Sequence, residues 1–268
     1  MESCYRHPGV ETGVSCQRCD RYICPECSTP GAVGFLCPED AKDKVKVIRP
    51  RFQQSLFSRA PITMTLIGIN SGVYILQQIG VPIIEMFAFM RIGQGIEFGS
   101  PWRAFTSAFV HSQAMFTHIL FNMYSLFVLG TLLEPMLGKL KFSLLYLLAI
   151  FGGSMGFFIF GDLGSVVVGA SGAIFGLMGA YLIYLRALRL DTSQIVIILV
   201  INVVVSFLPG IAWQAHFGGF IFGALVAVAY TRFSRPDQRV MLLSSIALLV
   251  LALISLWVYG NQMMPPIY

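Results

Sequence analysis

Seven apolar runs, each close to the length needed to cross a bilayer, constrain this chain more than anything else in its sequence. They fall at 61–80, 115–134, 142–160, 170–185, 194–209, 216–231 and 240–259. A span needs about 20 mostly apolar residues to cross a hydrocarbon layer of about 30 Å. Inside that layer an unpaired backbone N–H or C=O is costly, so the runs are expected as helices whose hydrogen bonds close internally. Charged residues make up only 12% of the 268 positions, against about 25% in soluble globular chains. The expected fold class is an all-α polytopic membrane protein.

Charge placement orients the spans. Lys139 and Lys141 lie between the second and third runs, Arg186 and Arg189 between the fourth and fifth, and Arg232, Arg235 and Arg239 between the sixth and seventh. The alternate connections carry Arg91 and Arg103 with Glu85 and Glu97, then Asp162, then no charge. The positive-inside rule therefore expects a cytoplasmic N-terminus and a C-terminus outside. The first 35 residues lack the apolar core of a signal peptide, so none is expected. Residues 42–60 are a basic linker with Lys42, Lys44, Lys46, Arg49, Arg51 and Arg59, and Pro50 disfavours a continuous helix there. The run reads as a solvated, polar tether, and its place just before an apolar span also suits anionic lipid headgroups rather than nucleic acid.

All six cysteines precede residue 38. Cys4 and His7, Cys16 and Cys19, Cys24 and Cys27, and Cys37 and Asp40 form four pairs at the same x2 spacing. Such pairs could build two tetrahedral zinc sites. About forty residues cannot bury a self-sufficient core without staples or metal. Disulfides are the other staple, but a reducing cytosolic setting and a histidine among the ligands favour metal. The gap of four residues between Cys19 and Cys24 argues against two independent consecutive knuckles. Residues 1–41 resemble a B-box-type zinc finger, whose ligands interleave. That resemblance implies Cys4, His7, Cys24 and Cys27 on one zinc and Cys16, Cys19, Cys37 and Asp40 on a second, with Asp40 where a histidine is common. The zinc is structural, and the module is expected to bind a protein partner or steady the tether.

The connection 81–114 is long and apolar for an outer loop, with Met86, Phe87, Phe89, Met90, Ile92, Ile96, Phe98, Trp102, Phe105 and Phe109. It is expected in the membrane interface, anchored by Trp102 and Arg103, with His111 interfacial too.

Polar residues inside the spans carry the functional argument, because they are costly there. His118 and Asn122, four apart, share a helix face in the second span. Ser171 opens the fourth span within Gly169-Ala170-Ser171-Gly172, and His216 opens the sixth within Ala215-His216-Phe217-Gly218-Gly219. These three spans run in one direction, so the four residues can meet near the outer face. From Ser171 to Leu185 the helix rises only about 21 Å, so its head should lie below the surface. The stretch from Gly161 to Gly169 must then be buried in protein or line a watery cavity. Gly172 and Gly176, and Gly219 and Gly223, are small-xxx-small pairs that permit close helix approach. Ser171 as nucleophile, His216 as its base, and Asn122 and His118 as oxyanion donors would make an acyl-transfer site. No Asp or Glu lies in these spans before Glu134, at the inner end of the second, which points to a dyad. Asn70 and Asn202 read as packing residues.

Together these motifs resemble the rhomboid family of intramembrane serine proteases. The match rests on Trp102-Arg103, His118-x3-Asn122, Gly169-x-Ser171-Gly172, and Ala215-His216 with Gly219-x3-Gly223. The resemblance covers about 61–239. It implies a six-helix core, a Ser–His dyad needing no cofactor, an oxyanion site that includes Asn122 and His118, and transmembrane proteins as substrates. It also implies an aromatic residue stacked on the histidine, at Phe175. The stretch 240–268, a seventh transmembrane helix with an outer tail, and the module at 1–41 are additions to that core. Two other readings differ in kind. A catalytically silent rhomboid-like protein that holds membrane clients would usually have lost the serine or the histidine. A transporter would show discontinuous helices in two matching halves, and no such repeat is visible.

Overall fold

The computed structural model describes residues 2–31, 34–42, 55–91 and 101–263. Lys44, Lys46, Arg49, Pro50 and Arg51 of the linker lie outside the described residues, as do Ile92, Ile96, Glu97 and Phe98 of the outer loop. The chain forms two compact units, Met1–Gln54 and Ser55–Tyr268.

The first unit is built from scraps of secondary structure. Strands β1 (Glu2–Ser3) and β2 (Glu11–Thr12) pair antiparallel, as do β3 (Thr29–Pro30) and β4 (Phe35–Leu36). A 3-10 turn, Pro25–Cys27, and a short helix, Pro38–Lys42, complete it. Its buried cluster is Ile23 with Cys4, Cys16, Cys24, Cys27 and Cys37. Potential ligands stand where a larger domain would place leucines, so apolar burial alone is too small to hold this unit.

The second unit contains seven long helices among the described residues: α1 (Pro61–Gln78), α2 (Phe116–Leu137), α3 (Lys139–Phe160), α4 (Ser171–Ala187), α5 (Ser193–Ser206), α6 (Trp213–Arg232) and α7 (Arg239–Met263). By length and composition, four stretches among the described residues can cross a membrane: Phe116–Leu137, Lys139–Phe160, Trp213–Arg232 and Pro236–Gln262. Helices α4 and α5 are shorter, with 17 and 14 residues. The turn between α2 and α3 is a single residue, Gly138, at φ 76°, a conformation that glycine adopts without a Cβ penalty.

Helix α4 is the hub. Every residue from Gly172 to Ala180 is buried, so the helix meets protein on all sides. Its most extensive contacts are with α6, and α6 also lies along α3. Glycines set these distances: a Cβ at Gly219 would fall on the Gly172 carbonyl, and one at Gly223 on the Gly176 carbonyl. Helix α3 adds a third small face. A Cβ at Gly153 would sit 3.0 Å from the Ala215 carbonyl oxygen, and one at Gly156 would strike the Gln214 carbonyl. Close backbone approach of this kind replaces the hydrophobic effect, which has no purchase between helices in lipid.

Helix α1 turns a polar stripe inward. Its buried residues are Thr63, Asn70 and Gln77, whereas Ile69, Ile75 and Ile79 are exposed. At its start, Glu134 of α2 accepts hydrogen bonds from the amides of Ile62 (2.9 Å) and Thr63 (2.8 Å) and from the Thr63 hydroxyl (2.7 Å). The carboxyl thus serves amides that have no acceptor within the helix. Asn70 donates to the Leu66 carbonyl and Asn202 to the Ile198 carbonyl, each within its own helix.

The outer loop departs from a simple interfacial segment. Phe89 is fully buried and packs against Phe157, Phe158 and Trp257. Strand β5 (Phe89–Met90) pairs antiparallel with β6 (Val166–Val167), just before α4. Arg103 donates to the carbonyls of Glu85 (2.9 Å) and Ala88 (3.3 Å), so it orders the loop from within rather than acting as a free headgroup anchor. Trp102, Phe105 and Met86 do remain exposed. His111, expected at the interface, is instead fully buried in protein. Gln77 clamps its backbone, accepting from the His111 amide (3.1 Å) and donating to its carbonyl (2.6 Å).

Candidate active site

Ser171 is the first residue of α4. The first intrahelical bond of α4 runs from the Ile174 amide to the Ala170 carbonyl, at 3.0 Å. The amides of Ser171, Gly172 and Ala173 therefore come before any acceptor in the helix, where the dipole favours negative charge. The chain reaches this helix through Gly169, at φ 117°, whose amide donates to the Ser107 carbonyl at 3.0 Å. The stretch 161–169 thus finds its backbone partners largely in the outer loop, through this bond, β5–β6, and the bond from the Arg91 amide to the Ser165 carbonyl.

His216 lies in the first turn of α6 and is buried. Its Nε2 is 2.8 Å from Ser171 Oγ. Phe175, one helical turn after Ser171, stacks on the imidazole with centroids 4.2 Å apart and planes 9° apart. The Nδ1 atom lies 2.6 Å from the hydroxyl of Ser206, at the end of α5. Among the described residues, the group at the second nitrogen is therefore a hydroxyl rather than a carboxylate. No periodicity or motif marks Ser206, which precedes His216 by ten residues across a turn through Pro209 and Gly210.

His118 lies against Gly169: a Cβ there would be 2.8 Å from His118 Nε2. Its Nδ1 accepts from the Ser112 amide at 3.2 Å. Asn122 is buried and donates to the His118 carbonyl at 2.8 Å, while its Oδ1 has no protein partner. The buried His111 ring lies 5.2 Å from that of His118, with both nitrogens unpartnered among the described residues. A cavity of about 20 Å³ touches Ser171, Gly169, Ser107 and Ser154, enough for one water molecule. A larger apolar cavity, about 170 Å³, lies behind the imidazole between α5 and α6.

In the first unit, Cys4, His7, Cys24 and Cys27 bring their ligand atoms within 4.8 Å of one another, and so do Cys16, Cys19, Cys37 and Asp40. His7 Nδ1 is 3.4 Å from Cys24 Sγ and 3.5 Å from Cys27 Sγ, and the Sγ atoms of Cys19 and Cys37 are 3.8 Å apart. A tetrahedron of zinc–sulfur and zinc–nitrogen bonds has edges of roughly 3.5–3.8 Å, so the donor sets fit that metal. All six thiols are free of disulfides. Hydrogen bonds from Cys19, Cys37 and Cys16 hold the Asp40 carboxyl down at about 2. Burial pushes the Cys37 thiol up to about 12. Both clusters could hold a metal ion.

A helical membrane bundle with a serine and a histidine in contact at the heads of two helices defines a class, and comparison with known proteins gives the family. Residues 99–233 match the family model described as Rhomboid domain. The chain is 38% identical over 140 residues to the putative rhomboid protease YdcA of Bacillus subtilis, covering 50% of this chain and 69% of the relative. It is 37% identical over 137 residues to RHOMBOID-like protein 1 of Arabidopsis thaliana, covering 48% of this chain and 34% of that protein. It is 35% identical over 160 residues to rhomboid protease GluP of Bacillus subtilis, covering 58% and 31%. The chain belongs to the rhomboid family and is an integral membrane protein. It spans about a third of the length of RHOMBOID-like protein 1 and of GluP.

Proposed function

We propose that this protein is a serine endopeptidase that hydrolyses peptide bonds in or beside transmembrane segments of other proteins. The observation that carries the reading is the 2.8 Å contact between Ser171 Oγ and His216 Nε2, beneath the stacked Phe175 ring. His216 Nε2 takes the hydroxyl proton as Ser171 Oγ attacks the scissile carbonyl. The new oxyanion meets the free amides at the head of α4, with the second Nδ2 proton of Asn122 and the His118 ring as side-chain donors. His216 returns the proton to the leaving amine. His216 then takes a proton from water as it attacks the acyl-enzyme, and passes it to Ser171 Oγ as the ester bond breaks and the new carboxyl terminus leaves. The small cavity beside Ser171 is a place to keep that water.

The module at 1–41 holds two structural zinc ions on the sets named above. Zinc supplies the folding energy that this small unit lacks. The charge of the basic linker at 42–60 suits anionic lipid headgroups, the protease core spans 61–239, and 240–268 adds the seventh helix and an outer tail. The N-terminus is cytoplasmic and the C-terminus outside.

The test is cleavage of a transmembrane reporter by purified protein in liposomes. The wild type should cleave it, while Ser171→Ala and His216→Ala should each lose at least a thousandfold. A folded wild type that binds reporters without cleaving any would refute the protease reading and favour client binding.

A further inference from the structure

We propose that Ser206 is a positioning residue that sets the tautomer of His216 and presents a bare Nε2 to Ser171. The inference rests on the Ser171–His216 reading. It follows from counting protons around one imidazole. A neutral histidine carries a single N–H, and the partner of one nitrogen decides the state of the other. His216 has a hydroxyl at each nitrogen: Ser171 Oγ at Nε2, 2.8 Å away, and Ser206 Oγ at Nδ1, 2.6 Å away. Either hydroxyl could donate or accept, so this pair of contacts alone leaves the tautomer open.

A third contact breaks the tie. Ser206 Oγ also lies 2.7 Å from the Asn202 carbonyl oxygen, which can only accept. Ser206 has one proton. If that proton goes to Asn202, Oγ must accept from Nδ1–H. Nε2 is then an acceptor for the Ser171 hydroxyl, and three hydrogen bonds form in line. If Ser206 instead donates to Nδ1, Nε2 carries the proton and donates to Ser171. That arrangement has two bonds, and it leaves the nucleophile without a base. The first state is favoured by one hydrogen bond in a buried setting, where an unmade bond is costly. Donation to a carbonyl one turn back is also what hydroxyls do elsewhere in these apolar helices, as at Thr65 to Pro61 and Ser245 to Met241, each at 2.8 Å.

The same chain of bonds serves the charged state. When His216 takes the serine proton, Nδ1–H still points at an oxygen whose own proton is drawn toward Asn202, which makes that oxygen a better acceptor. Ser206 is one of only three buried residues of α5, with Ile195 and Leu199. The bond therefore also fixes the last turn of α5 to the ring.

The experiment pairs spectroscopy with kinetics. In protein labelled with nitrogen-15 at histidine, long-range ring couplings report which nitrogen of His216 is protonated, with the signal assigned by its loss in His216→Gln. The wild type should show Nδ1–H with bare Nε2. Ser206→Ala should shift His216 toward a mixture with Nε2–H and lower kcat about tenfold with KM unchanged, the scale of one net hydrogen bond. Ser206→Thr should restore both the tautomer and the rate. A wild-type His216 protonated at Nε2 overturns the proposal even if no variant folds, and so does Ser206→Ala with unchanged tautomer and rate. Failure of the protease reading looks different: the wild type would be no faster than Ser171→Ala whatever the tautomer.

Discussion

Replacing Glu134 should destabilise the membrane unit more than any single surface change, in an order that the geometry dictates. The carboxyl accepts from two backbone amides and one hydroxyl at 2.7–2.9 Å while only 1% exposed. Glu134→Ala leaves three donors without acceptors, each costing about 1–3 kcal/mol when buried, and removes a favourable charge at a helix start, about 0.3–1 kcal/mol. The low end of these ranges gives a total on the order of 4 kcal/mol. At about 2–4 °C per kcal/mol for a unit this size, the midpoint of unfolding in detergent should fall by roughly 8–16 °C. Glu134→Gln keeps one oxygen, best placed toward Thr63, but turns an N–H toward the Ile62 amide; it should lose about 2 kcal/mol. Thr63→Val removes only the hydroxyl donor and should lose about 1 kcal/mol. Thermal unfolding of the three variants, followed by circular dichroism, checks the ranking. Glu134→Gln as stable as the wild type, or Thr63→Val worse than Glu134→Ala, would refute the capping account.

Other outcomes follow from the same geometry. Gly219→Ala places a methyl on the Gly172 carbonyl and pushes α6 from α4 beside Ser171; a displacement near 1 Å should cost about a hundredfold in kcat, read with the transmembrane reporter. Gln77→Leu strands the buried amide and carbonyl of His111 and should lower stability by about 2–4 kcal/mol in denaturant titration. Elemental analysis of purified protein should find two zinc ions per chain, falling to one in Asp40→Ala and staying at two in Asp40→His. Chelation should make residues 1–41 sensitive to added protease while leaving 61–239 resistant.

The helices were legible because lipid leaves backbone little choice: an apolar run of near-spanning length must close its own hydrogen bonds. The contact between Ser171 and His216 was legible for a related reason, since each opens a glycine-marked helix and polar atoms are scarce there. What escaped were partners chosen across the chain. Ser206 looks like any serine at a helix end, and its role exists only because α5 and α6 turn back on one another. Gln77 and Glu134 bond mainly to backbone, which leaves no pattern of residue types. The Gly152-Gly153-Ser154-Met155-Gly156 stretch did carry a readable signal, a third small-residue face, but one that points to no particular partner. His111 and Phe89 misled because an apolar loop can satisfy its composition in lipid or in protein, and hydropathy does not separate the two.

A helix enclosed by protein along its first half has no need to match the thickness of the lipid around it. Thinning or thickening of the bilayer acts on segments with lipid-facing surface, such as α2 and α7, by tilt or local deformation. Helix α4 meets no lipid from Gly172 to Ala180, so the depth of Ser171 is a property of the scaffold. Its place in that scaffold is set by glycine contacts with α3 and α6, and membranes of different thickness should find the same serine at the same height in that frame.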